Sequence, residues 1–245
     1  MQIRIFLPLK FSFKNYQDLI NCDEVDIVYI SLPNSKHFEW ARKSLNYKYN
    51  TIIDKPITSN EKQLDELIEL SKKNKKILVE STFFNYHLQM KKITKMYRND
   101  LHKKVYAKFI IPKPDKKSIL MSKKLQGGVL MDMGPYISSI PRLFNLKKIL
   151  KKRIKIKKNR DKLITSIKFL LNFEEGDYDG NFKFGGEYKN EIKITNKIKK
   201  ISIQRAFSPP DNENLIIKSK FKKKYKITKL KKDNCFKNFF REVLE

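Results

Sequence analysis

Residues 25–56 read VDIVYISLPNSKHFEWARKSLNYKYNTIIDKP, and this stretch decides how the rest of the chain is interpreted. Its first part, VDIVYISLP (25–33), is apolar and β-branched, which is typical of a strand buried on both faces. The following NSKHFEWARKSLNYK predicts a helix with Asn34 or Ser35 as its N-cap. A second buried strand, YNTIIDKP, ends at Pro56 because proline has no N–H to donate to the strand ladder.

The alternation of strand and helix continues beyond this stretch. Thr58 and Glu61 form a T-x-x-E capping box, which predicts the start of a helix that reaches about Lys75. KKILVESTF (75–83) then predicts a third strand. The order strand–helix–strand–helix–strand indicates a parallel sheet with right-handed crossovers, so residues 1–83 are interpreted as an α/β domain.

After residue 84 the pattern changes to that of an α+β domain, which we assign to residues 84–245. NYHLQMKKITKMYRN predicts a helix and KKVYAKFII a strand. A Gly-Gly turn then leads into a helix that Pro135 is expected to interrupt or restart. Residues 150–230 are mostly alternating strands, which predicts an antiparallel sheet with one polar face, and NCFKNFFREVLE begins a closing helix.

Composition limits the classes of protein to consider. No apolar run reaches the ~18 residues of a membrane span, and Cys22 and Cys235 suggest neither a disulfide framework nor a metal cluster. A reducing, cytoplasmic setting is therefore the default expectation. The net charge of +29 raises nucleic acid as a partner, but only 8 of the 55 basic residues are arginines, which nucleic-acid interfaces favour. We expect neither a membrane nor a nucleic-acid partner.

Two pairs of residues are candidates for proton transfer. Asp54 and Lys55 follow the second strand, at the sheet edge where ligands bind in open α/β sheets. A lysine there can donate to a substrate oxygen, and its carboxylate neighbour can orient it or tune its pKa. Asp132 and Tyr136 share a face if their stretch is helical, and tyrosine beside lysine is a common acid–base pair. From spacing alone, a solvated Lys55, a capping Asp132 and a packed Tyr136 remain the simpler interpretation.

Taken together, these stretches resemble one family. VDIVYISLPNSKHFEWARKSL, IIDKPIT, KILVESTFFNYHLQM and GGVLMDMGPYISSIPRLF stand in the order and spacing of the Gfo/Idh/MocA oxidoreductases. FGGEYKNEIKITN, ISIQRAFSPP and NCFKNFFREV resemble the substrate domain and closing helix of sugar-modifying members. The resemblance implies that residues 1–83 are an incomplete Rossmann-type sheet. It also implies that residues 84–245 form a substrate-binding domain whose large, mostly antiparallel, open-faced sheet mediates homo-oligomerisation.

The resemblance also implies roles for individual residues. Lys55 would contact the substrate hydroxyl and relay its proton, with Asp54 standing where the family has glutamate. Asp132 and Tyr136 would complete the catalytic group, and the tyrosine is similar to that of sugar-nucleotide ketoreductases. That favours reduction of a keto-sugar with Tyr136 as proton donor. The residues that would approach the nicotinamide half of NAD or NADP are Pro33, Asn34, His37, Asp54 and Lys55. No metal site is implied.

The family's glycine-rich phosphate loop is not found in this sequence. The G-x-G-x-x-G pattern lets the backbone approach a pyrophosphate, whereas the first of the seven glycines here is Gly127. We therefore expect at least one βαβ unit, ~30 residues or more, to be missing. We also expect dinucleotide affinity to be low and a strand edge to be exposed and partly covered by residues 3–9.

Three hypotheses follow. The first is an NAD(P)-dependent oxidoreductase acting on a sugar or a sugar nucleotide. The second is a non-catalytic remnant or oligomerising scaffold of the same family, as from a gene fragment, a misplaced start codon or a decaying gene. The third is a nucleic-acid binder that uses the lysine-rich segment 147–160, although its alternation of lysine with Ile and Leu predicts a half-buried strand. Two histidines remain: His87 is expected near the substrate cleft and His102 on the surface.

Overall fold

A computed structural model describes residues 12–245, and its first part is a three-stranded parallel sheet. The strands are β1 (Ile27–Ile30), β2 (Asn50–Asp54) and β3 (Leu78–Ser81), in the order β1-β2-β3. The predicted parallel α/β arrangement is confirmed. The predicted cover of an edge by residues 3–9 lies outside the described residues.

Helices α1 (Tyr16–Ile20), α2 (Asn34–Asn46) and α3 (Glu61–Asn74) accompany this sheet. The extents of α2 and α3 match the prediction closely, whereas α1 was not predicted, and two predicted caps are wrong. Pro33 occupies the N-cap position of α2 with no capping side chain, because the amide of Asn34 donates to the backbone oxygen of Gln126 instead. The predicted T-x-x-E box is replaced at α3 by Asn60, whose side chain accepts from the Gln63 N–H.

Two further helices lead into the second sheet. Short 3₁₀ helices at Phe83–Tyr86 and Ile119–Met121 precede α4 (Leu88–Tyr97) and α5 (Val129–Leu143) respectively. The expected break at Pro135 is wrong, since α5 continues through it. The hydroxyl of Ser139 donates to the Pro135 carbonyl at 2.8 Å, in the part of the helix that follows the proline.

The second sheet has eight strands in the order β11-β10-β9-β8-β4-β7-β6-β5. Strands β4 and β7 pair in parallel and every other neighbouring pair is antiparallel, so the predicted mostly antiparallel sheet is confirmed. Helix α6 (Cys235–Leu244) closes the chain, with Asn234 as its N-cap. The strand bounds are β4 Lys103–Ile111, β5 Ile149–Lys158, β6 Ile164–Phe173, β7 Gly176–Phe184, β8 Lys189–Thr195, β9 Lys199–Gln204, β10 Ile216–Phe221 and β11 Lys224–Lys229.

The main core lies between one face of this large sheet and helices α4 and α5. Along β4, Val105, Ala107 and Phe109 are buried, whereas the alternate residues Lys104 and Tyr106 are exposed. This period of two places apolar side chains under the helices and polar ones on an open face. Among residues 12–245, none of the helices combines the length and apolar composition needed to cross a membrane.

Strand β5 departs from the prediction, because all ten of its residues are exposed rather than half-buried. It is an edge strand, and its Ile154 and Ile156 pair with Phe169 and Ile167 of β6. These isoleucines extend the core face past the covering helices, and each remains 51% exposed. The domain boundary between residues 83 and 84 stays a prediction.

Candidate active site

A cleft of about 690 Å³ lies at the carboxyl ends of the three parallel strands. One wall consists of residues that follow β1 and β2, including Leu32, Asn34 and Lys55. The opposite wall comes from α5, from the loop after β9 and from the start of α6. This is where ligands bind in open α/β sheets, so the cleft is the candidate site.

Lys55 and Asp132 meet across the cleft. The ammonium Nζ of Lys55 donates to the Asp132 carboxylate oxygen Oδ1 at 2.5 Å and to the Asp132 backbone oxygen at 2.7 Å. The side chains are 21% and 18% exposed respectively, so the pair is largely shielded from water. Burial alone lowers the pKa of Lys55. The neighbouring Tyr136, Asp132 and Asp54 outweigh it, and the pKa lies well above its ordinary value.

Tyr136 lies beside this pair on the next turn of α5. Its ring packs against Phe84, Phe109 and Phe207, with ring centroids 5.3 to 5.4 Å apart. The Lys55 nitrogen is 5.1 Å from the Tyr136 ring centroid. Burial raises the pKa of the Tyr136 phenol, and the Lys55 charge offsets part of that increase. The three predicted catalytic residues therefore lie together.

Of the two roles expected of Asp54, it raises the pKa of Lys55 but does not orient it by a hydrogen bond. Its carboxylate accepts hydrogen bonds from the Tyr29 hydroxyl and from the Ser81 hydroxyl, the latter at 2.9 Å. Burial and the bond to Asp54 together raise the pKa of Tyr29. The carboxylate that pairs with Lys55 is Asp132, 77 positions later, because the side chain of Asp54 is committed to β1 and β3. Asp54 acts on Lys55 through its charge alone.

The residues predicted near a nicotinamide differ in their surroundings. Asn34, His37, Asp54 and Lys55 line the cleft, whereas Pro33 begins α2 and is not part of its lining. His37 is fully buried, and its ring nitrogens each lie 2.7 Å from a carbonyl oxygen, Nδ1 from Pro56 and Nε2 from Leu32. The ring therefore ties together the turns that follow β1 and β2.

The remaining histidines lie apart from the cleft lining. His87 is buried and caps α4, its Nδ1 accepting from the Gln89 N–H at 3.1 Å. Burial lowers the pKa of His87, and Asp233 opposes the change. His102 is exposed, as expected. Within residues 12–245 no cluster of His, Cys, Asp or Glu has the arrangement of a metal site.

Sequence reasoning missed one wall of the cleft, the loop after β9. Arg205, Phe207, Ser208, Asn212 and Glu213 all line the cleft. The stretch ISIQRAFSPP resembles sugar-modifying relatives. Its arginine, close before a phenylalanine, was the sequence feature that could have indicated a ligand-binding loop. The fold was required to show that this loop faces Lys55 and Asp132.

Comparison with known proteins agrees with this arrangement. Residues 5–82 match the family model described as an oxidoreductase family with an NAD-binding Rossmann fold. This part of the chain is similar to the Gfo/Idh/MocA oxidoreductases. The resemblance noted in the sequence is thereby confirmed, as is the fold of a Rossmann-like parallel sheet followed by a large, mostly antiparallel sheet.

The curated proteins that the chain resembles include sugar-nucleotide reductases. A dTDP-3,4-didehydro-2,6-dideoxy-alpha-D-glucose 3-reductase from Actinomadura kijaniata is 25% identical over 203 residues, covering 80% of this chain and 61% of the relative. The enzyme of the same name from Streptomyces antibioticus is 24% identical over 240 residues, covering 94% and 71%. The chain thus spans between 61% and 71% of the length of these two relatives.

Solved structures agree in fold. A 3-ketoreductase from Actinomadura kijaniata, in complex with NADP and TDP-benzene, superposes with a TM-score of 0.84 at 22% identity, covering 95% of this chain and 74% of that one. A UDP-N-acetylglucosamine 3-dehydrogenase from Acidithiobacillus ferrooxidans has a TM-score of 0.77 at 16% identity, covering 95% and 72%. At these identities the likeness establishes the fold.

Proposed function

We propose that this chain carries the catalytic centre of an NAD(P)-dependent oxidoreductase that reduces a keto group on a sugar or a sugar nucleotide. The observation that carries the proposal is the convergence of Lys55, Asp132 and Tyr136 in one cleft at the strand ends. The relatives add support, since the ketoreductase structures include variants with a lysine replaced by alanine and a tyrosine replaced by phenylalanine.

Tyr136 is the proton donor in this proposal. Burial raises the pKa of its phenol, so the hydroxyl keeps its proton at neutral pH. Reduction of a carbonyl builds negative charge on the oxygen, and a positioned acid that donates to this oxygen lowers the barrier. The proton moves from Tyr136 Oη to the carbonyl oxygen, and the product is an alcohol.

Lys55 supports this step as a permanent cation. Its raised pKa keeps the ammonium protonated, and two of its three hydrogens are committed to Asp132. The remaining hydrogen and the positive charge stabilise the phenolate that Tyr136 becomes, and the phenolate regains its proton from solvent. Asp132 is the positioning residue that holds the ammonium at the cleft.

A nicotinamide cofactor supplies the hydride when bound. Asn34, His37, Asp54 and Lys55 are the residues of the proposed nicotinamide side, because they line the cleft at the ends of β1 and β2. Pro33 contributes by starting α2 at this position. This sequence holds no G-x-G-x-x-G loop, so no residue is assigned to the pyrophosphate.

Oligomerisation through the large sheet is a second part of the proposal. Its open face carries charges of both signs, with Lys104 opposite Asp177 and Lys108 near Glu191 across neighbouring strands. A face of mixed charge can be complementary to a second copy of itself. The unit that carries this face is proposed to be residues 84–245, and residues 1–83 the dinucleotide-binding unit.

The test combines cofactor binding with one conservative variant. Trp40, the only tryptophan, packs edge-on against Tyr16 in the described structure and reports binding by quenching during titration with NADH and NADPH. Tyr136→Phe removes the hydroxyl and keeps the ring. We expect a loss of about 100- to 10,000-fold in the rate of NADPH oxidation with a 3-keto sugar nucleotide, with cofactor affinity unchanged.

Tyr225→Phe is the matched control, because Tyr225 is 77% exposed at the sheet edge. Equal rates for the two variants would refute Tyr136 as the proton donor. Failure of the folded protein to bind either cofactor at millimolar concentration would favour the hypothesis of a non-catalytic scaffold.

A further inference from the structure

Arg205 is the cation of the cleft lining that has no ion pair within the described structure. Lys55 is paired with Asp132, and both ring nitrogens of His37 lie within hydrogen-bond distance of carbonyl oxygens. The Arg205 guanidinium makes one hydrogen bond, from Nε to the Ser208 carbonyl at 3.3 Å. No ion pair joins it to any carboxylate of residues 12–245, including Glu213, which also lines the cleft.

The backbone of Arg205 is held in an uncommon conformation. Its φ of +54° lies in the left-handed region, which side chains with a Cβ seldom adopt. The fully buried Gln89 fixes it by donating from Nε2 to the Arg205 carbonyl at 3.1 Å. Backbone strain of this kind is concentrated at functional sites, where the surrounding structure maintains it.

A second buried amide fixes the loop that follows. Asn190 is 2% exposed; it accepts from the Phe207 N–H at 2.9 Å and donates to the Ser208 and Tyr188 hydroxyls at 2.8 and 3.0 Å. The Tyr188 ring in turn lies 5.6 Å from the Arg205 guanidinium carbon, as in a cation–π contact. The guanidinium is therefore held from two sides, and its two terminal nitrogens remain available.

We propose that Arg205 is a specificity-determining residue that binds the diphosphate of a nucleotide-linked sugar. A guanidinium presents paired donors that match phosphate oxygens, and here it lies in the same cleft as Lys55 and Tyr136. The cleft also offers aromatic surface, since the rings of Phe83 and Phe236 pack with centroids 4.0 Å apart. A free sugar has no phosphate with which the guanidinium could pair.

This inference rests on the proposed function, and it selects the sugar nucleotide over the free sugar as substrate. A dinucleotide cofactor also carries a diphosphate, so the experiment has to separate the two sources. We assign Arg205 to the substrate because its loop follows β9 of the large sheet, whereas the residues proposed for the nicotinamide follow β1 and β2.

The test measures equilibrium binding of dTDP-glucose, glucose and NADPH to the chain and to two variants. Arg205→Gln removes the charge and the guanidinium, and Arg153→Gln removes one charge from the exposed strand β5, outside the cleft lining. We expect dTDP-glucose to bind about ten- to a hundredfold more weakly to Arg205→Gln than to Arg153→Gln. Glucose should bind weakly to all three proteins, and NADPH should bind them equally.

Three results would overturn the assignment. Equal dTDP-glucose affinity in the two variants would show that Arg205 is not the diphosphate contact. An equal loss for NADPH would assign the arginine to the cofactor, and failure of the unaltered chain to bind dTDP-glucose would remove the site. If the unaltered chain binds dTDP-glucose but shows no turnover or no NADPH binding, the proposed reaction is refuted and the assignment of Arg205 stands.

Arg205→Lys keeps the test decisive if the glutamine variant does not fold. It retains the positive charge and loses the paired donors, so we expect intermediate affinity for dTDP-glucose. The affinity of the unaltered chain should also fall as salt is raised, because a charge-to-phosphate contact is screened. Full affinity in Arg205→Lys together with no salt dependence would contradict the proposal.

Discussion

Replacement of Asp132 tests the central contact of the site through stability rather than activity. Asp132→Asn keeps the shape of the side chain, and its amide oxygen can still accept from Lys55, as can the Asp132 backbone oxygen. Only the opposing charge is lost. The hydrogen bond still has a charged donor, so the loss is that of the ion-pair attraction, which is about 0.2–1 kcal/mol for exposed pairs and at the upper end for this less exposed pair. The expected loss in the free energy of unfolding is therefore about 1 kcal/mol.

Asp132→Ala is the stronger perturbation. It leaves the ammonium of Lys55, which is 21% exposed, with the backbone oxygen as its remaining partner at this position. Removing one member of a fully buried pair costs about 3–5 kcal/mol, so for this partly shielded pair about 3 kcal/mol is expected. In a chain of this size, that lowers the melting temperature by about 6–12 °C.

Urea denaturation at several pH values is the assay, with Asp65→Asn as the control. Asp65 is exposed on α3, and the substitution makes the same change in net charge. The pKa of Lys55 is raised on folding, so its stabilising effect is complete below the unfolded-state pKa of about 10.4 and is lost only above it. The deficit of the Asp132 variants should be constant from pH 6 to about 9.

Two results would refute this reasoning. If Asp132→Ala were as stable as Asp65→Asn, the contact between Lys55 and Asp132 would not contribute to the fold. If the deficit changed strongly between pH 6 and about 9, the loss of a pair that stays ionised throughout this range would not explain it.

Three further predictions concern parts of the fold around the site. Burial lowers the pKa of His87, so the free energy of unfolding should fall as pH drops below about 6.5. His87→Asn keeps an oxygen that can cap α4, and in urea titrations it should remove the pH dependence that His87 causes. Gly180→Ala would place a Cβ 2.0 Å from the ring of Phe169 and should cost about 1–3 kcal/mol by calorimetry, whereas Gly134→Ala, with its nearest contact at 3.8 Å, should cost nothing. Asn190→Leu leaves the buried Phe207 N–H without its acceptor and should cost about 2 kcal/mol in urea denaturation.

The sequence was informative wherever local periodicity and strand ends determine position. The β-branched runs before Pro33 and Pro56 predicted β1 and β2, and the carboxyl ends of parallel strands share one edge of a sheet. The placement of Lys55 at the cleft follows from this rule alone. Asp132 and Tyr136 lie on one face of α5 because they are four residues apart.

The contacts that the sequence did not predict depend on competition between hydrogen-bonding residues that are distant in sequence. Asp54 is adjacent to Lys55, yet Tyr29 and Ser81 take its carboxylate, and no local rule ranks those partners. The capping box failed because Asn60 is a better cap than a threonine two residues earlier. The left-handed conformation of Arg205 rests on Gln89, 116 positions away, so it could not be read from the residues around it.

The exposed edge strand β5 has a consequence for how the protein behaves in concentrated solution. Unpaired backbone groups along such an edge invite a second molecule to extend the sheet, and exposed isoleucines such as Ile154 strengthen the attraction. Six of its ten residues are lysine or arginine, so two such edges repel one another. That repulsion acts over about 10 Å at 0.1 M salt but only about 3 Å at 1 M. Concentrated salt is therefore expected to promote self-association of this chain, and storage at low ionic strength to keep it dispersed.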